Sequence, residues 1–161
     1  MNAIFIQAGV AASQPLWFGN TLVSIAVSSS TGRDGVCVIE HTMPYADSPP
    51  LHVHQNEDEI FHVLSGRMRF VVGGKERFAN AGDTLLAPKG VPHTYRVESA
   101  EGARVLTITR GSDFEGMIRA AARPAAQAVL PPAAAPTPEI IAELTRLCAK
   151  NGIDLVGPPL M

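Results

Sequence analysis

A chain of 161 residues and 17.0 kDa fits one domain with a single core, and an apolar share of 46% is that of a globular protein. Its 13 Lys and Arg stand against 15 Asp and Glu without any basic run, so the electrostatic footprint of a nucleic-acid or anionic-membrane binder is missing and the expected ligand is a small molecule. No apolar run approaches the ~18 residues of a membrane span, and no Lys or Arg precedes Arg33, so a cytoplasmic protein is expected.

In chain order, Ala3-Ile4-Phe5-Ile6 and Trp17 to Val27 read as strands, with β-branched and aromatic residues in loose alternation. Ser28 to Gly35 is a turn by composition, and Val36 to Met43 is the next strand. Pro44 to Pro50 carries three prolines, cannot continue a central strand, and is expected on the rim of a site. From 51 to 110 the chain reads as short strands broken by Gly and Pro turns, with no helix. Gly73-Gly74 is a hairpin turn between Arg67–Val72 and Lys75–Phe78, and Pro88 to Pro92 is a rigid turn that presents His93 at the head of a strand. Thr84–Ala87 and Ala103–Thr109 complete the set.

After Arg110 the composition changes. Asp113–Ala122 reads as a short helix, and residues 124–136, with four prolines and six alanines, read as a linker. Thr137-Pro138 supplies an N-cap and a first-position proline for an amphipathic helix, with Ile140, Ile141, Leu144, Leu147 and Cys148 at helical spacing up to Asn151-Gly152. That helix must dock on the barrel or on a partner subunit, and Gly157-Pro158-Pro159 is expected to end the chain in extended form. Residues 1–110 are thus assigned to a β-domain and 111–161 to a C-terminal extension. Cys37 and Cys148 form no Cys-x-x-Cys pair and read as buried free thiols.

The chemistry gathers at Leu51-His52-Val53-His54. In a strand His52 and His54 project from one face, so two imidazoles converge on one point. Glu59 lies beyond a polar run long enough to turn a carboxylate back to that point, and His93 would be the fourth ligand. Imidazoles plus a carboxylate suit one divalent transition metal, among Fe, Mn, Ni, Co and Zn, rather than calcium or magnesium. His62 falls on the face opposite Glu59 and is set aside. His41 reads as a half-exposed structural histidine. Phe61, Met68, Phe70, Leu86, Tyr95 and Leu106 are candidates for the interior, core first and pocket wall second.

At these residues the chain resembles the cupin superfamily. His52, His54, Glu59 and Gly66 match its first motif, with Ala46 in place of the leading Gly. Gly82, Pro88, Gly90 and His93 match the second, with Val97 where an Asn is usual. The resemblance implies an all-β, antiparallel jelly-roll-like barrel whose mouth holds a metal on His52, His54, Glu59 and His93. It extends, more loosely, to single-domain cupins of the quercetin-dioxygenase-like type, with their C-terminal extension. By that resemblance the expected activity is a metal-dependent dioxygenase acting on a flavonol, catechol or diketone, with Glu59 doubling as the base. A metal-dependent isomerase, lyase or decarboxylase and a non-catalytic ligand-binding or sensing cupin are the alternatives. Cupins also suggest a homodimer, for which the exposed edges of a small antiparallel barrel give a physical motive.

Overall fold

The computed structural model describes residues 14–161, so the strand expected at Ala3–Ile6 lies outside the described residues. The elements are β1 (Leu16–Phe18), β2 (Thr21–Val27), β3 (Val36–Met43), β4 (Leu51–His54), β5 (Glu59–Ser65), β6 (Arg67–Val72), β7 (Lys75–Asn80), β8 (Thr84–Ala87), β9 (His93–Val97), β10 (Ala103–Arg110), α1 (Asp113–Ala121), β11 (Arg123–Pro124), α2 (Pro138–Lys150) and β12 (Ile153–Gly157). They form two antiparallel sheets. One has the order β11-β1-β2-β3-β10-β5-β8 and the other β12-β4-β9-β6-β7. The all-β, jelly-roll-like architecture expected from the motifs is the one observed.

Alternation fills the space between the sheets. Met43, Phe61, Val63, Met68, Phe70, Val97 and Val105 are buried in one cluster, away from the helices. A second cluster joins Val23, Ile25, Cys37 and Ile39 to Phe114, Met117 and Ile118 of α1 and to Cys148 of α2. The two helices therefore seal one side of the barrel with their apolar faces, as amphipathic helices must. Thr137 caps α2 by accepting from the Ile140 amide, with Pro138 at the first position as the sequence suggests. Cys37 and Cys148 are both buried and free, and burial pushes their thiols up to about 12 and about 11.

Several expectations need correction. The run Trp17–Val27 is a hairpin, because Gly19 adopts φ 57 and folds Phe18 opposite Thr21. The tail does more than extend: β12 pairs with β4, setting Ile153 opposite His54 and Leu155 opposite His52. Nothing in the alternation of this short stretch announces a partner so far away in sequence. Leu86 and Leu106 are not interior. Leu86 pairs with Ile60 and Leu106 with His62, and directly opposed residues share a face, so both turn outward. Met68 and Phe70, by contrast, are core, the first reading given to them. His41 is fully buried, stacked on Phe114 with ring centroids 6.0 Å apart.

Candidate metal centre

Two neighbouring strands of one sheet and the first residue of a strand in the other assemble the site. His52 and His54 leave one face of β4, His93 heads β9 directly opposite His52, and Glu59 opens β5 after the turn at residues 55–58. All four are buried, and one ligand atom from each lies within 4.8 Å of the others. Glu59 Oε2 is the hub, 2.8 Å from His93 Nε2, 3.3 Å from His54 Nε2 and 4.0 Å from His52 Nε2. The structure thus brings together all four residues singled out in the sequence. His62 instead bonds Thr84 Oγ1 on the outer face.

The backbone fixes the tautomers. His52 Nδ1 lies 2.8 Å from the Pro50 carbonyl and His93 Nδ1 lies 3.0 Å from the Val91 carbonyl. Carbonyls only accept, so Nδ1 donates in both rings and each Nε2 is turned toward Glu59, that of His93 within hydrogen-bond distance of Oε2. His54 Nε2, facing the same oxygen, has no hydrogen-bond partner although it is buried. Buried acceptors aimed at a carboxylate are costly unless a cation or protons lie among them. Ligands ~2.1 Å from one ion stand about 3 to 4 Å apart, which is the range of the three separations around Oε2. The donor set therefore fits a divalent transition metal.

The electrostatics agree. Burial opposes charge on Glu59, but His54, His93 and His52 outweigh it and hold the carboxyl at about 2, so it is ionised. Burial lowers His52 to about 4, against the pull of Glu59. For His54 the opposite direction wins: burial lowers it, yet Glu59 and then Glu57 raise it above the usual imidazole range.

Glu57 escaped the sequence reading. Its buried carboxylate accepts from the amides of Asp113 at 3.0 Å and Phe114 at 2.9 Å, closing the N-terminus of α1. It also lies 3.9 Å from His54 Nδ1, an electrostatic contact longer than a hydrogen bond. A Cβ on Gly111, whose φ is 146, would collide with this carboxylate, so the glycine keeps Glu57 in place. The only sequence signal was an acidic residue in the turn between His54 and Glu59.

His52, His54 and Glu59 open onto a cavity of about 760 Å³. Trp17, Phe18, Phe61, Tyr95 and Phe114 supply aromatic wall, and the loop at Asp47 to Pro50 lies on the rim as expected. Pro132 to Pro136 and α2 close the outer side, with the linker tied down by Trp17 Nε1 donating to the Val129 carbonyl at 2.8 Å.

His41 lines this cavity too, with a buried Nε2 that has no partner. Burial lowers it to about 4, and Glu59 and Glu40 offset only part of that. The unfolded chain takes the proton near 6.5 and the folded chain near 4. Stability is therefore complete above 6.5 and falls on the order of 3 kcal/mol as pH drops toward 4. His52 titrates in the same sense. Urea unfolding of His41→Leu at pH 7.5 and pH 5 is expected to show a clearly smaller loss than the wild type; an undiminished loss would place the acid sensitivity elsewhere.

Residues 38–109 match the family model described as the cupin domain. That match covers less than half of the chain, and the two antiparallel sheets around the His/Glu group agree with it. The chain is 26% identical over 95 residues to the quercetin 2,3-dioxygenase of Bacillus subtilis (strain 168), an alignment covering 59% of the chain and 28% of the relative. The chain thus spans little more than a quarter of that enzyme's length. Among solved structures it is similar to a predicted oxalate decarboxylase from Thermotoga maritima, with TM-score 0.60 and 19% identity over 66% of this chain and 98% of that one. It is also similar to a Cupin 2 conserved barrel domain protein from Salinispora arenicola CNS-205, with TM-score 0.55 and 22% identity over 69% and 92% of the two chains. These likenesses establish the fold; the chemistry is argued from the site.

Proposed function

We propose that this cupin is a metal-dependent dioxygenase acting on a small oxygenated aromatic substrate of the flavonol or catechol type, or on a diketone. The observation that carries the reading is an ionised carboxylate among three imidazoles at the inner end of a cavity walled by five aromatic side chains. Such walls stack planar rings, and about 760 Å³ is room for a multi-ring ligand. The likeness to a quercetin dioxygenase supports the same choice.

A divalent metal held by His52, His54, Glu59 and His93 would lower the pKa of a coordinated hydroxyl and supply redox chemistry toward molecular oxygen. The protein supplies the rest. Aromatic walls orient the ring and exclude water, the Pro50 and Val91 carbonyls hold two imidazoles in the ligating tautomer, and Glu59 Oε2 is the acceptor for the substrate hydroxyl proton.

A small dianion such as oxalate suits this cavity poorly. Its wall carries the carboxyl groups of Asp47, Glu139 and Glu143, and its one cation among the described residues, Arg123, lies over the Trp17 ring at 4.6 Å. Oxygen uptake by the metal-loaded protein is expected with a flavonol, catechol or 1,3-diketone and not with oxalate. Turnover that persists when oxygen is excluded would replace the dioxygenase by an isomerase, lyase or decarboxylase. Ligand binding without any product would leave a sensing cupin.

A further inference from the structure

Several ionisable side chains of the cavity stand outside the metal centre, and one of them is a carboxylate held on a clamped loop. Asp47, in the loop between β3 and β4, lines the cavity, and among the described residues its carboxylate has one polar partner, the Thr21 hydroxyl, which donates to Oδ2 at 3.3 Å. It forms no ion pair with any Lys, Arg or His among the described residues, and no hydrogen bond with the four-residue group. Its carboxylate is partly buried without a cation beside it, and such a group in a cavity is a candidate for a functional role.

The backbone is held where it is rarely comfortable in order to present it. Ala46 has φ 64, the only positive φ outside glycine among the described residues. A left-handed residue with a Cβ costs roughly 1–2 kcal/mol. Three hydrogen bonds maintain the conformation: Ala46 N to Val97 O at 3.0 Å, Asp47 N to Pro44 O at 3.2 Å, and Val97 N to Asp47 O at 3.0 Å. Both backbone groups of Asp47 are thereby clamped, and the carboxylate stands on a fixed base. Tyr95 lines the same cavity, and its phenol is raised by burial and then by Asp47 and Glu59.

We propose that Asp47 is a substrate-positioning residue, a second polar anchor that accepts a hydrogen bond from a hydroxyl group of an aromatic ligand engaged with the Glu59 group. The proposal rests on the substrate class proposed above and adds the residue that selects a hydroxylated ring within it. The ligand that satisfies both points is neutral, planar and hydroxylated at more than one place. The titratable and charged groups that share the cavity are Tyr95 from β9, Glu59 and the ligating histidines, His41 from β3, Arg123 from β11, and Glu139 and Glu143 from α2. None of them hydrogen-bonds Asp47, so its proton is its own to exchange with a ligand.

Trp17 is the only tryptophan and lines the same cavity, so its fluorescence reports binding without turnover. Quercetin and unsubstituted flavone are titrated without oxygen into the metal-loaded wild type, Asp47→Ala and Asp47→Asn. Saturable quenching by quercetin is expected in the wild type and about tenfold or more weaker binding in Asp47→Ala, the loss typical of a hydrogen bond to a charged group. Flavone affinity and metal content are expected to be equal in all three proteins. Burial pushes Asp47 up to about 6, so wild-type affinity for quercetin should rise as pH passes upward through that value, and the rise should vanish in Asp47→Asn. Unchanged quercetin affinity in both variants, equal weakening for flavone, loss of metal, or no quenching in the wild type would each overturn the role. Oxygen uptake separates the two readings. Uptake with unaltered affinity in Asp47→Ala removes Asp47 and keeps the dioxygenase, whereas weakened binding with no uptake anywhere keeps Asp47 and removes the dioxygenase.

Discussion

Replacing His54 by alanine is expected to abolish stoichiometric binding of a divalent transition metal. Four-ligand structural zinc sites supply about 10–16 kcal/mol in all, and on that scale one ligand accounts for roughly 3 kcal/mol and its loss weakens binding on the order of 100-fold. The variant is also informative without metal, because two effects oppose. His54 has both ring nitrogens buried without a hydrogen bond, and removing them relieves a penalty of about 1–3 kcal/mol for each unpaired group. The lost ring leaves a cavity against Phe114, whose ring centroid is 5.5 Å away, at a similar cost. Stability without metal should therefore change little, and the metal-induced shift is the diagnostic quantity. At free metal 100-fold above the wild-type Kd the stabilisation is about 2.7 kcal/mol, which for a chain of this size raises Tm by roughly 5–10 °C. His54→Ala at the same metal concentration should shift by about 1 °C. Equal shifts in the two proteins, or a metal ratio near zero in the wild type, would remove the metal from the site.

The four clustered residues were legible because each needs only local geometry: period two for His52 and His54, a turn before Glu59, and a Pro-Gly turn before His93. Parity also removed His62 correctly. Parity misplaced Leu86 and Leu106, because facing direction was counted within each strand and their pairing partners, Ile60 and His62, are set by register between strands. His41 shows a different limit. It sits at an inward position of β3, but its complete burial comes from Phe114, some seventy residues later, on a helix whose docking surface the sequence left open.

The C-terminal extension carries most of what could not be read. Its helix was recognisable from Thr137, Pro138 and the apolar spacing, whereas its location was not. β12 explains why it matters: pairing with β4 places Ile153 opposite His54 and Leu155 opposite His52, so the last strand braces the strand that bears two ligands. The linker before α2, extended by its prolines, supplies cavity wall at Pro132 to Pro136. Glu57 and Asp47 were invisible for a related reason. Each is an ordinary acidic residue in a turn, given meaning only by what tertiary contact brings to it, the amides of α1 in one case and the cavity in the other.

Glu59→Gln separates a ligand from a base. The amide keeps the size and one oxygen, so His52, His54 and His93 should still hold metal, more weakly for the missing charge. A base that takes the substrate proton contributes about 10²- to 10⁴-fold to turnover, and glutamine cannot replace it. With metal saturating, oxygen-dependent turnover is expected to fall by on the order of 10³-fold while quercetin binding through the cavity walls persists. The ionised state of Glu59 is secure at working pH. Its carboxyl is held at about 2 because the three imidazoles outweigh burial, so that contribution is present above the ordinary value near 4.5 and is lost only as pH falls through about 2. The loss of turnover in Glu59→Gln should accordingly be the same at pH 6 and pH 8. Parallel losses of metal and turnover, restored together by excess metal, would reduce Glu59 to a ligand and leave proton transfer to solvent or to the Tyr95–Asp47 side of the cavity.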